Sequence, residues 1–116
     1  MKDVDVAIIG AGTAGLSAER VARGAGASTA LIDDQFRGTT CANVGCMPSK
    51  LLIAAAAAAH AVRRASTFGV FATHRIDGAA VMARLRQHRD GFAAATREQI
   101  AQLPEGVAQA ASRMYH

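Results

Sequence analysis

The 116-residue sequence predicts an α/β fold with a small parallel sheet and long helices. Residues 4–9 form a short apolar run that ends at a glycine, as a buried strand does. A helical stretch and a second apolar run, residues 28–32, follow at the spacing of a strand–helix–strand unit. Two later segments have the length and composition of long helices.

The turn after the first predicted strand has the spacing G-x-G-x-x-G, at Gly10, Gly12 and Gly15. In such a unit the first glycine makes the tight turn, the second lets a pyrophosphate approach the backbone, and the third lets the helix pack against the sheet. The phosphates then lie at the helix N-terminus, here Thr13 and Ala14. A glycine-rich turn that binds nothing is the alternative, and the surrounding strands and helix favour a Rossmann-like dinucleotide site.

The first helix is predicted over residues 14–25, and the second strand ends at Asp33. An acidic side chain about 20 residues after the glycines can accept hydrogen bonds from an adenosine ribose. Asp34 lies one residue further from the strand and is the less favoured partner. The motif itself does not choose between FAD and a nicotinamide nucleotide.

The chain's two cysteines, Cys41 and Cys46, follow the second strand. On an ideal helix, residues five apart have Cα atoms about 8 to 9 Å apart, whereas a disulfide needs less than about 7 Å. A bridge therefore requires a distorted turn, which Asn43 and Gly45 tolerate. Such a bridge is strained and reducible, so the spacing is consistent with a redox pair.

The spacing alone leaves two other interpretations open. Free cysteines often fill small apolar sites, so the pair could be two unrelated buried residues. His60 and His74 could complete a zinc site, but a structural zinc site usually repeats a tight ligand pair, and the sequence has no second pair. No metal site is predicted.

Residues 38–50, GTTCANVGCMPSK, resemble the redox-active disulfide motif of the flavin-dependent pyridine nucleotide-disulfide oxidoreductases. This family includes dihydrolipoyl dehydrogenase, glutathione reductase and mercuric reductase, and every fixed position of its pattern is met. The resemblance implies that the N-terminal dinucleotide motif binds FAD, while NAD(P)H binds a second motif that this sequence does not contain. Residues 1–116 are therefore expected to be the N-terminal part of an FAD-binding domain, without the nucleotide and interface domains.

The resemblance also implies individual roles. Cys41 would be the outer, interchange thiol that attacks the substrate disulfide. Cys46 would be the thiolate beside the flavin, where the N-terminus of a following helix favours negative charge. Thr40 would touch the FAD, and Lys50 would stabilise negative charge on the reduced ring.

The implied activity passes electrons between NAD(H), FAD, the Cys41–Cys46 disulfide and a small dithiol or disulfide, in a homodimer. Dihydrolipoyl dehydrogenase is the most similar member. Ser49 argues modestly against a glutathione reductase, which often has two lysines after the proline, and mercuric reduction would need an additional cysteine pair. A non-catalytic FAD-binding redox module is the alternative if the chain is complete.

The charge balance, 13 Lys and Arg against 9 Asp and Glu, gives the chain a net charge of +4. The arginines are scattered without aromatic residues between them, so solvated helix faces explain them better than nucleic-acid binding. The N-terminus does not have the pattern of a signal peptide. The alanine-rich run at residues 51–62 is too short to span a bilayer, so we expect a cytoplasmic protein without a membrane segment.

The second half of the sequence predicts two helices. One covers residues 51–65, and the other runs from an N-cap at Asp77 to Pro104, with residues 68–73 between them as a short strand or an extended connection. Residues 105–116 contain no recognisable element, so the predicted sheet has two strands and open edges. The second helix has one predicted buried stripe: Val81, Leu85, His88, Phe92, Thr96, Gln99 and Leu103.

Overall fold

The computed structural model describes residues 3–111. In this described part of the chain, three parallel strands form one sheet in the order β1-β2-β3, with β1 at Val6–Ile9, β2 at Thr29–Asp33 and β3 at Ala108–Ala110. The register places Ala7 of β1 opposite Ala30 of β2. Because parallel neighbours require a crossover, helices connect the strands. The predicted α/β fold with a parallel sheet and long helices is confirmed.

The first strand lies at the edge of the sheet and is not buried as predicted. Val6 is 36% exposed and Ile9 is 89% exposed, and only one side of β1 has a neighbouring strand. The strand also begins later than predicted, since the backbone N–H of Asp5 donates to a side-chain oxygen, the Oγ of Ser28, at 3.0 Å. The Oδ2 of Asp5 accepts from the N–H and the Oγ of Ser28, at 2.8 and 2.6 Å.

The third strand was absent from the prediction. Its three residues, AQA, are too short and too weakly apolar to indicate a strand. Pairing with β2 defines it: the N–H of Leu31 donates to the carbonyl of Val107 at 2.8 Å. Both side chains belong to the buried apolar cluster that also contains Ala11 and Ile100. The strand therefore depends on contacts that are distant in sequence.

Within residues 3–111, four α-helices accompany the sheet. The N-cap prediction at Asp77 is confirmed, because its side chain accepts a hydrogen bond from the N–H of Ala80 at 3.0 Å. The helix predicted over residues 51–65 extends further toward the N-terminus and begins at Cys46, with Gly45 as its N-cap, which agrees with the expectation that Cys46 lies at a helix N-terminus. The helices are α1 at Thr13–Gly24, α2 at Thr40–Asn43, α3 at Cys46–Arg64 and α4 at Gly78–Ala101.

The buried face of α4 differs in part from the predicted stripe. Leu85 is buried as predicted, but Ala93 and Ile100 are buried in place of Phe92 and Gln99. The small side chain of Ala93 allows α4 to approach the segment that contains the cysteines, whereas the bulky ring of Phe92 remains 40% exposed. The face therefore shifts by one residue in the second half of the helix.

A short 3₁₀ helix, Ala65–Phe68, follows α3, and residues 70–77 have no regular secondary structure. The connection interpretation of residues 68–73 is therefore correct and the strand is not formed. By length and composition alone, the helical residues Thr40–Phe68, most of which belong to α3, could cross a membrane. α3 is longer than the run of residues 51–62 on which the length argument rested, so that argument does not exclude a membrane segment. A single helix of this kind is weak evidence for a membrane-spanning segment. The absence of such a segment stays a prediction.

Candidate functional site

The three glycines after β1 have different structural requirements. Gly10 has φ +98°, a conformation that favours glycine, and its N–H donates to the carbonyl of Ile32 at 2.7 Å. A Cβ on Gly15 would overlap the carbonyl oxygen of Gly10 and lie 3.1 Å from its carbon. A Cβ on Gly12 would meet no protein atom within 4 Å. The fold therefore requires the first and third glycines but not the second.

The N-terminus of α1 fits a phosphate group. Gly12 is its N-cap and supplies no side-chain hydrogen bond, and the first turn contains no acidic residue. Thr13 and Ala14 are exposed. The first N–H groups of a helix have no partner within the helix and attract negative charge. Together with the space beside Gly12, these groups fit the pyrophosphate of a dinucleotide.

Asp33, at the end of β2, lies against the glycine turn. Its Oδ2 accepts from the N–H of Ala11 at 2.8 Å, and its Oδ1 accepts from the N–H groups of Phe36 and Gln35 at 2.8 and 3.1 Å. Oδ2 retains capacity for a second donor, so a ribose hydroxyl is compatible with this arrangement. Partial burial raises the pKa of Asp33, but the backbone donors outweigh it and hold the pKa below its ordinary value. Ribose binding stays a prediction.

We expect Asp33 to make stability pH-dependent. Because its folded-state pKa is lowered, its contribution is fully present above the unfolded value of about 3.9 and is lost as pH falls through the folded value. Asp33→Asn should lower the free energy of unfolding at pH 7 by about 1 to 2 kcal/mol. Urea unfolding at pH 7 and pH 3 should show this difference shrinking in acid. Glu105→Gln, at an exposed position, is the control, and a difference that persists at pH 3 would contradict the prediction.

The predicted distortion between the cysteines is confirmed. α2 ends at Asn43 and α3 begins at Cys46, so the helix is interrupted between them. Gly45 adopts φ −117° and ψ −114°, and a Cβ there would lie 3.2 Å from the carbonyl oxygen of Thr40 and 3.4 Å from the Cα of Cys41. This close approach brings the beginnings of the two helices together, and with them the two cysteines.

The two cysteines are free thiols, and the Cys46 thiol raises the pKa of Cys41. The Cys46 thiol contributes most to raising the pKa of Cys41, followed by partial burial, while the Cys46 backbone N–H and the charge of Lys50 act in the opposite direction. Cys41 is partly buried and Cys46 is exposed, so the interpretation of two unrelated buried cysteines is wrong. Within residues 3–111 no cluster of three metal-ligating side chains is found.

The exposures are opposite to those expected for Cys41 as the outer thiol. Cys46 is the first residue of α3 and is exposed, whereas Cys41 lies in α2, which packs on both α3 and α4. Lys50 stands one helical turn after Cys46 on the same face of α3. Thr40, the first residue of α2, is exposed. The contacts of these four residues with flavin or substrate stay predictions.

Sequence reasoning missed how the cysteine segment is held. Thr39 is the N-cap of α2, and its Oγ1 accepts from the N–H of Ala42 at 3.1 Å. Asn43 was considered only as a residue that tolerates an unusual backbone. Its Nδ2 donates to the carbonyl oxygens of Arg37 and Thr39, both at 3.1 Å. The fixed asparagine in the motif was the available signal for this role.

Comparison with known proteins agrees with this arrangement. The family described as pyridine nucleotide-disulphide oxidoreductase matches residues 4–113. A dihydrolipoyl dehydrogenase from Chlamydia muridarum is 41% identical over 93 residues, covering 76% of this chain and 20% of that protein. A dihydrolipoyl dehydrogenase from Mycobacterium leprae is 37% identical, covering 78% of this chain and 20% of that protein.

A mercuric reductase from Streptomyces lividans is 47% identical over 70 residues, covering 60% of this chain and 15% of that protein. The chain thus spans a fifth or less of the length of these relatives. The matched family has a Rossmann-like FAD-binding domain, which agrees with the parallel sheet and the glycine turn.

Proposed function

The chain belongs to the pyridine nucleotide-disulphide oxidoreductase family, and from this premise we propose that it is the N-terminal, FAD-binding part of a flavoprotein disulfide oxidoreductase. The observation that carries the proposal is the interrupted helix at Gly45, which brings Cys41 and Cys46 together. Lys50 lies one turn further along α3. A pair of interacting thiols, of which at least one is exposed, is what reversible disulfide chemistry requires.

Several residues would hold the cofactor. Gly12, Thr13 and Ala14 would receive the pyrophosphate, Asp33 the ribose, and Thr40 and Lys50 would lie beside the ring. When bound, FAD supplies two-electron transfer between a nicotinamide nucleotide and the cysteine pair. Gly10 and Gly15 contribute indirectly, because they shape the turn from which the cradle is built.

The cysteines carry the exchange with substrate. A thiolate of a small dithiol attacks the Cys41 sulfur of the disulfide, the bond between Cys41 and Cys46 breaks, and Cys46 leaves as a thiolate. The second substrate thiol attacks the mixed disulfide and releases Cys41, closing the substrate disulfide. Two electrons and two protons have then left the substrate. The N-terminus of α3 and the charge of Lys50 favour the departing thiolate.

Dihydrolipoamide is the substrate we favour, because two of the relatives reported above are named dihydrolipoyl dehydrogenase. The mercuric reductase relative supports the main alternative, and a glutathione-reductase-like enzyme is a further one. We also propose a cytoplasmic homodimer that binds neither nucleic acid nor membrane.

Turnover of the intact protein with each substrate tests the proposal. With FAD present and NAD⁺ as acceptor, we expect oxidation of dihydrolipoamide that is abolished in Cys41→Ser. Glutathione disulfide and Hg²⁺, each assayed with NADPH, are expected to give much slower turnover. Faster reduction of either would reassign the substrate. A non-catalytic redox module would instead bind FAD and cycle its cysteines without turning over any of the three.

A further inference from the structure

Asn43, the one asparagine in the sequence, closes the cysteine segment onto itself. Its Nδ2 donates to the carbonyl oxygens of Arg37 and Thr39, at 3.1 Å in both cases. These carbonyls lie on either side of Gly38, which has φ +97°. The amide therefore links residues 37 and 39, which precede Cys41, to residue 43, which lies between the two cysteines.

Two close approaches and a contact from α4 restrict the same loop. A Cβ on Gly38 would lie 3.4 Å from the Nδ2 of Asn43, and a Cβ on Gly45 would lie 3.4 Å from the Cα of Cys41. Arg97 of α4 donates through Nη1 to the first of the two carbonyls at 3.5 Å. These contacts restrict the backbone on both sides of Cys41 and at Gly45, the residue before Cys46, while the amide is in place.

We propose that Asn43 is a positioning residue for the cysteine pair: its side-chain amide holds the loop in the conformation in which the thiols of Cys41 and Cys46 meet, and thereby sets their redox potential. The inference rests on the proposed disulfide chemistry. Ordering a flexible loop costs conformational entropy. A loop that is already ordered in the dithiol avoids that cost when the bridge forms, so the amide favours the disulfide.

The test is thiol–disulfide exchange of the intact protein with glutathione, which requires neither flavin nor nicotinamide. The two cysteines lose two electrons and two protons to one glutathione disulfide, which becomes two glutathione thiols. Asn43→Leu has a similar size but no donor. We expect its equilibrium constant for bridge formation to fall roughly tenfold, equivalent to a potential about 30 mV less negative.

Val44→Ala is the matched control, because Val44 is adjacent and 77% exposed, and its constant should equal that of the parent. If Asn43→Leu does not fold, as judged by circular dichroism, Asn43→Ser carries the test, since its hydroxyl is too short to join both carbonyls. An unchanged constant in the folded variant overturns the role of Asn43 alone. Absence of a bridge in the parent overturns the proposed function and this role with it.

Discussion

Cys46→Ser is expected to abolish the long-wavelength thiolate–flavin absorption of the two-electron-reduced, FAD-loaded protein, whereas Cys41→Ser is expected to retain it. Cys46 is the first residue of α3, and the N-terminus of a helix carries a partial positive charge that attracts anions. A serine hydroxyl stays protonated at neutral pH and cannot replace it. Both variants should lose roughly 10⁴-fold or more in turnover, because each lacks one half of the disulfide.

Absorption spectra during anaerobic titration with dithionite measure the first effect. Met47→Leu is the matched control, because it alters the sulfur-containing neighbour of Cys46 without removing a thiol, and its spectrum should equal that of the parent. A band that survives in Cys46→Ser and disappears in Cys41→Ser would reverse the two roles. The greater exposure of Cys46 would then mark it as the thiol that meets the substrate.

Local patterns were sufficient for the part of the fold that surrounds the glycine turn. The strand, the glycines, the helix and the second strand each depend on neighbours in sequence, so their order and approximate bounds could be predicted. The distorted turn at Gly45 was also predictable, because an uninterrupted helix would keep the two cysteines too far apart for a bridge.

The remaining features depend on tertiary contacts. Residues 108–110 become a strand only because β2 offers an unpaired edge beside Val107. The buried face of α4 is decided at Ala93, where a small side chain allows close packing, and a hydrophobic pattern alone prefers the larger Phe92. The two hydrogen bonds of Asn43 require the carbonyls of residues 37 and 39 to turn toward it, which no sequence pattern specifies.

Gly12→Val is expected to give a protein that folds with nearly the parent's stability but binds little flavin. Gly12 has φ −79° and ψ −174°, a β-region conformation that valine also adopts, and a Cβ there would meet no protein atom within 4 Å. The fold therefore tolerates the side chain. A pyrophosphate at the N-terminus of α1 would not tolerate it, because the valine methyl groups would occupy the space through which the phosphates approach the backbone.

Gly15→Ala is the matched comparison, because its Cβ would overlap the carbonyl oxygen of Gly10. Gly15→Ala should lower the free energy of unfolding by about 1 to 3 kcal/mol or more, and it should lose flavin as well. Gly12→Val should lower FAD affinity at least about 100-fold, or about 2.7 kcal/mol, at an unchanged urea midpoint. The ratio of absorbance at flavin and protein wavelengths, together with urea unfolding, measures both quantities. Parent-like flavin content in Gly12→Val would show that a pyrophosphate does not need the space beside Gly12. The proposed phosphate role of this turn would then be wrong, since packing gives no other reason for a glycine at that position.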